Sequence, residues 1–240
     1  TCMVENTVQN IVDNSTYPSF DIVVVRDVNP DGSMVHPFTL PVMKNLRFVD
    51  FYESFNIAAK WNAGVLASRG EIIVVLDDDT QIASPDWLEQ LVGHFEFPNI
   101  GVTGPMLQLE DGRVFSAGMS LQPKPRQVSK GESSTHIGWM GMHSVARTVT
   151  AVSGVCMAFR RSAFDAVGGF SENYQYAYAD VDFCLKLKSN NLDTVWTPEA
   201  KVYHFDSRTR GDKSADSDLL VFEKRWRRVC SEDAYTRSNA

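Results

Sequence analysis

The chain alternates short, densely apolar runs with polar turns, and the period changes from run to run. Val4, Val8, Ile11 and Val12 recur at helical spacing, so an amphipathic helix is expected at the start. Continuous β-branched and leucine runs at 20–25 and 72–76 predict strands, the second buried on both faces, and 45–49 predicts a shorter one. Between them, the alanine-rich stretch 54–67, with Ile57, Ala58, Trp61, Val65 and Leu66, reads as a helix that Ser54 would cap. Ser84-Pro85-Asp86 reads as a further helix start with Pro at the first helical position, and Trp87, Leu88, Leu91, Val92 and Phe95 form its buried stripe.

Farther along, 100–104 and 106–109 predict two short strands, with Asp111-Gly112 as a hairpin turn. Residues 122–144 lose all period. A loop of that length inside a compact domain is usually functional, so a flexible lid or acceptor-binding segment is expected at about 122–147. Thr148 to Phe159 is an apolar strand region interrupted at Ser153-Gly154; a short helix then runs from Ser162 to the Gly168-Gly169 stop. Residues 180–187 form a helix with Asp180 and Asp182 in its first turn, ended by Asn190-Asn191. Two last strands are expected at 194–196 and 201–205, then an amphipathic tail at 216–226. Helices alternating with strands imply an α/β layer architecture in one domain, 1–240.

Composition narrows the classes. Forty-three per cent hydrophobic residues in 240 suit a single large domain, since such domains reach roughly 250 residues. A formal charge of −7 argues against nucleic acid as partner. No apolar run approaches the ~20 residues of a membrane span. Cys2, Cys156, Cys184 and Cys230 are too scattered for a disulfide or zinc framework, so reduced cysteines and a cytoplasmic setting are expected.

Three groups could carry chemistry. The first is Asp77-Asp78-Asp79, where the apolar run 72–76 meets three carboxylates. Adjacent anions repel, and a hard cation such as Mg2+ or Mn2+ would relieve that; a solvated turn capping the next helix is the plainer reading. The second is Asp180 with Asp182, either a base or a helix cap. The third is His204 followed by Asp206, Ser207, Arg208, Thr209 and Arg210, either a cation and phosphate site or a structural histidine beside a solvated loop.

Taken in order, several segments carry a resemblance. Thr16-Tyr17-Pro18, Phe55-Asn56 with Asn62-Ala63-Gly64, the run from Ile72 through Asp79 to Trp87-Leu88, Val167-Gly168-Gly169-Phe170, Asp180-Val181-Asp182-Phe183 and His204 through Gly211 together resemble family 2 glycosyltransferases of the GT-A fold. The likeness is to rhamnosyltransferase-like enzymes of bacterial surface polysaccharide synthesis. It implies a mixed central sheet flanked by helices and a metal-dependent, inverting transfer from a UDP-, dTDP- or GDP-linked sugar to a glycan or lipid-linked acceptor. Asp77, Asp79 and His204 would hold the metal, and Asp180 would be the general base. Asp27, Asn62, Asp78, Arg208 and Arg210 would surround the donor, while Trp139, Gly169 and Phe170 would serve the acceptor and its lid.

The chain also departs from that pattern. The family's first strand has no counterpart before Thr1, which leads to the expectation of a piece of a longer protein. Arg26 stands where the family places an aspartate that contacts the base, with Asp27 beside it, and Ala179 precedes the proposed base where relatives carry an acidic or amide residue. A nucleotidyltransferase, or a non-catalytic nucleotide- or glycan-binding module of the same fold, therefore stays open at this level.

Overall fold

The computed structural model describes residues 3–122, 124–205 and 216–231. Helices and strands follow the apolar runs. The first half comprises α1 (Met3–Asp13), β1 (Ile22–Asp27), β2 (Leu46–Phe51), α2 (Ile57–Ala67), β3 (Ile72–Leu76), β4 (Thr80–Ile82), α3 (Trp87–Gly93) and β5 (Ile100–Gln108). Then come β6 (Val114–Ser116), β7 (Met119–Ser120), β8 (Arg126–Gln127), β9 (Arg147–Val149), β10 (Cys156–Arg160), α4 (Arg161–Ala166), α5 (Ala179–Ser189), β11 (Asp193–His204) and α6 (Asp216–Ser231).

A mixed seven-stranded sheet runs β3-β10-β5-β11-β4, with β6 on β5 and β9 on β11. Its two faces carry separate cores. On one, Val65 of α2, Phe164 of α4, Phe183 of α5 and Phe222 of α6 meet Ile73 and Val75 of β3; on the other, Trp87, Leu88 and Leu91 of α3 pack with Ile82 and Val202. Strand β3 is packed on both faces as expected, with Ile72, Val74 and Leu76 against the second core. It lies at the sheet's edge. The parallel pair β1–β2 forms its own small sheet, because no described strand is hydrogen-bonded between β1 and β3.

Three predicted boundaries shift, each for a local reason. Helix α2 starts at Ile57, because Asn56, with φ −150°, rather than Ser54 accepts the Ala59 N–H through its side chain. Helix α3 starts at Trp87: the Ser84 hydroxyl is occupied by the Lys201 N–H, and Asp86 accepts from Gln90 Nε2. The strands expected at 100–104 and 106–109 are one nine-residue strand, wholly buried, running through Pro105. Proline has no N–H to give a ladder, and the partner β11 shifts register between Thr197 and Lys201, beside Pro105. That shift also joins the two expected final strands into one.

The segment 122–147 is not a free loop. Gln127 and Arg126 pair with Met119 and Ser120, Val128 exchanges backbone bonds with Ala117 and Gly118, and Ser133 bridges Arg113. The periodless stretch thus lies back along the hairpin that follows β5. Among the described residues no helix is long and apolar enough to cross a membrane. Cys156 and Cys184 are buried and Cys230 half-buried, none of them in a disulfide among the described residues; burial pushes the Cys184 thiol up to about 12, so it stays protonated.

Candidate active site

Strand β3 ends by delivering Asp77, Asp78 and Asp79 into a turn clamped on several sides. The Asp77 N–H bonds to Val155 O at 2.9 Å, the Phe205 N–H to Asp79 O at 3.0 Å, and Thr80 Oγ1 to Asp77 O at 2.7 Å. Thr7, a buried residue of α1, shares its hydroxyl between Asp78 O at 2.6 Å and Thr80 O at 2.9 Å. The backbone of the turn is thereby fixed.

His204 reaches the same place through the sheet, since it pairs with Thr80 where β11 meets β4. The residue is 5% exposed, its ring edge-on to Phe115 at 4.4 Å, with Nε2 3.4 Å from Asp79 Oδ1. Asp77, Asp79 and His204 each offer a ligand atom, all within 4.8 Å of one another. The His204 Nδ1 is buried without a hydrogen-bond partner among the described residues. A buried imidazole with an unspent nitrogen, beside two converging carboxylates, fits a divalent cation such as Mg2+ or Mn2+.

Asp180 approaches from another element that lines the same site. It lies in the first turn of α5, where Oδ2 accepts the Gly154 N–H and Oδ1 the Val181 N–H, both at 2.8 Å. Gly154 is required there: a Cβ would lie 2.2 Å from the Trp61 ring. The interruption at Ser153-Gly154 is therefore the seat of Asp180. Tyr178, just before it, holds φ +67°, a conformation unfavourable for an aromatic residue.

Between these elements is a cavity of about 260 Å3 lined by Asp77, Asp79, His204 and Asp180. Sequence reasoning missed the rest of its lining, including Trp61, Tyr176, Tyr178 and Arg126. Arg126 arrives because the segment 122–147 folds back, which no local pattern announces.

Several expected site residues do not line this cavity. Asp78 is exposed; its carboxyl is raised above the ordinary value by the protein crowded around it and then by the charge of Asp79, with Lys60 and His36 opposing. Asp27 forms an ion pair with Lys60 at 2.9 Å, and Arg26 pairs with Asp50 at 2.5 Å across the β1–β2 ladder. Asn62 is a brace: its Nδ2 donates to Phe170 O and Glu172 Oε1, and its Oδ1 accepts the Phe170 N–H. Phe170 itself is 2% exposed in an aromatic cluster with Phe159, Phe164, Phe183 and Trp61, a core position rather than an acceptor surface. Gly169, at φ +70°, packs against Phe164 and Asn62. Trp139 is exposed on a 3-10 turn outside the cavity. Arg208 and Arg210 lie outside the described residues.

Asp182, two positions after Asp180, faces the core. It is fully buried, accepts from Tyr174 Oη and Trp226 Nε1, and lies 3.2 Å from Arg225 Nη1. Burial and the Asp182 charge hold the Tyr174 hydroxyl well above its usual range. Removing Asp182 leaves the Tyr174 hydroxyl and the Trp226 N–H without their acceptor while the partly exposed Arg225 turns to water, so Asp182→Ala is expected to cost about 1–3 kcal/mol. Denaturant titration checks this, and a loss below about 1 kcal/mol would contradict the structural role.

A second group, Glu132, His136 and His143, also converges. There the ring nitrogens of His143 already sit at 3.1 Å from His136 O and 2.8 Å from Ser129 Oγ, and His136 Nδ1 accepts the Gly138 N–H. It reads as an internal hydrogen-bond network that organises the segment.

Comparison with known proteins gives concordant matches. The family model described as Glycosyl transferase family 2 matches residues 2–168. The O-antigen biosynthesis protein RfbC of Myxococcus xanthus is 26% identical over 223 residues, 87% of this chain and 16% of that protein. The N-acetylglucosaminyl-diphospho-decaprenol L-rhamnosyltransferase of Mycobacterium tuberculosis is 29% identical over 168 residues, 62% of this chain and 53% of that protein. The chain thus spans only part of the length of these relatives. Among solved structures, GalNAc-T7 with UDP, GalNAc and Mn2+ superposes with a TM-score of 0.62 at 14% identity, over 84% of this chain and 41% of that one.

Proposed function

The chain belongs to glycosyl transferase family 2, and from that membership we propose that it moves a sugar from a nucleoside diphosphate donor to a saccharide acceptor, free or lipid-linked, with inversion at the anomeric carbon. Its mixed sheet with helices on both faces is the GT-A fold. The observation that carries the proposal is the separation of labour within one cavity: Asp77, Asp79 and His204 form one group, and Asp180 stands apart on another element with its own hydrogen bonds.

Asp77, Asp79 and His204 would hold Mn2+ or Mg2+. A bound divalent cation supplies charge for the departing diphosphate. Asp180 takes the proton from the acceptor hydroxyl as that oxygen attacks the anomeric carbon, and the nucleoside diphosphate leaves from the opposite face. Its two N–H donors fix the carboxylate's direction, which is what a base in a single-displacement reaction requires. The relatives' names support a saccharide acceptor, one of them with a decaprenol diphosphate attached. A module that only binds nucleotides would have no use for this second, metal-free carboxylate.

Calorimetric titration of UDP, dTDP and GDP, with Mn2+ and with chelator, tests the metal arrangement. Binding of at least one of them is expected to tighten by about tenfold or more with Mn2+. Equal affinity in both conditions would remove the metal-bridged model.

A further inference from the structure

Helix α6 grips the chain on both sides of Asp180. At its first turn Asp218, 3% exposed, accepts the N–H groups of Tyr176 at 2.6 Å and Ala177 at 2.9 Å. One turn on, the fully buried Phe222 lies with its ring centroid 5.5 Å from that of Tyr178. One turn further, Trp226 Nε1 donates to Asp182 Oδ1 at 2.7 Å. The first two contacts fall on the loop before Asp180 and the third on the turn after it.

That loop stores strain. Tyr178 at φ +67° holds a backbone conformation that non-glycine residues keep only where their surroundings over-determine it. Several contacts hold it: the two amides immediately before Tyr178 are bound by Asp218, its ring packs on Phe222, its carbonyl accepts the Asp182 N–H at 2.9 Å, and Tyr176 stacks on Phe55. Of these, the Asp218 carboxylate alone binds both preceding amides. A buried carboxylate is costly unless paired or hydrogen-bonded, and this one spends an oxygen on the backbone of another element. Two residues beyond Tyr178, Asp180 meets Gly154 at 2.8 Å.

We propose that Asp218 is a positioning residue, which by holding the 176–177 backbone keeps Tyr178 in its strained conformation and so sets Asp180 against Gly154 at the cavity wall. The proposal rests on Asp180 being the base. Losing the two N–H acceptor bonds lets the loop relax and the Asp180 carboxylate drift, and a displacement of about 1 Å at a catalytic group can cost about a hundredfold in rate.

The test compares the full chain with Asp218→Ala, Asp218→Asn and Leu91→Val, the last a core change in α3 that lowers stability away from this loop. Two quantities are read: residue-resolved amide hydrogen exchange at Gly154, and kcat with the donor dissociation constant. In Asp218→Ala, Gly154 is expected to lose protection, and kcat to fall about ten- to a hundredfold while donor affinity stays within about twofold. Asp218→Asn, which keeps an acceptor oxygen, is expected to fall between it and the parent, and Leu91→Val to match the parent in both. Retained Gly154 protection or unchanged kcat in Asp218→Ala overturns the proposal, as does the same loss in Leu91→Val. Should the parent transfer no sugar from any nucleotide donor, the base reading falls, and exchange at Gly154 alone decides whether Asp218 positions Asp180.

Discussion

Replacing Asp79 with Asn is expected to weaken Mn2+ binding by at least about a hundredfold and to lower transfer in proportion. Outer contacts to metal ligands are already worth about ten- to a hundredfold in affinity, and a direct ligand is worth no less. The substitution keeps the shape of the side chain, and the backbone of the turn is held by the Thr7 hydroxyl, Val155 O and the Phe205 N–H. The fold should therefore survive, and high Mn2+ should restore part of the activity. Metal titration followed by transfer assays over a range of Mn2+ checks both statements. An unchanged metal affinity, or a loss of transfer that no metal concentration relieves, would take Asp79 out of the ligand set.

For Asp180→Asn the expectation is the reverse pattern: donor and metal binding within about twofold of the parent, and kcat lower by about a hundred- to ten-thousandfold, the range over which general acid–base groups contribute. An amide keeps one oxygen to accept from Gly154 or Val181 but cannot take a proton from a hydroxyl. Transfer kinetics beside donor titration separate the two effects. Turnover at the parent rate would end the base assignment, and a parallel loss of donor affinity would mean that Asp180 shapes the donor pocket instead.

What the sequence made legible, and what it hid, divides along physical lines. The triplet 77–79 could be found because a strand buried on both faces that runs straight into three carboxylates is a local pattern, and His204 because it ends a strand of the same kind. Asp218 could not be found. An aspartate in the first turn of an amphipathic helix looks like any residue placed there for the helix dipole, and only the packing of α6 on the loop at 176–177 gives it a task. Phe170 shows the opposite error. An aromatic residue after two glycines in a family motif suggested contact with a substrate, but the glycines turn the chain inward and the ring completes the core. The long strand β5 reads as two short runs in the sequence, and the register shift in β11 beside Pro105 comes from a distant part of the chain.

The pairing of His204 with Thr80 has a consequence for assembly. Asp77 and Asp79 lie well before β11 in the chain, yet the nearby imidazole comes from the end of β11, and among the described residues β4 pairs with the large sheet through β11 alone. Contacts so distant along the sequence form late, since the loop-closure entropy between them must be overcome before the pairing is gained. The carboxylates of this turn thus meet His204 only when β11 pairs with both β5 and β4. The cavity they line is therefore completed by a pairing between distant parts of the sequence.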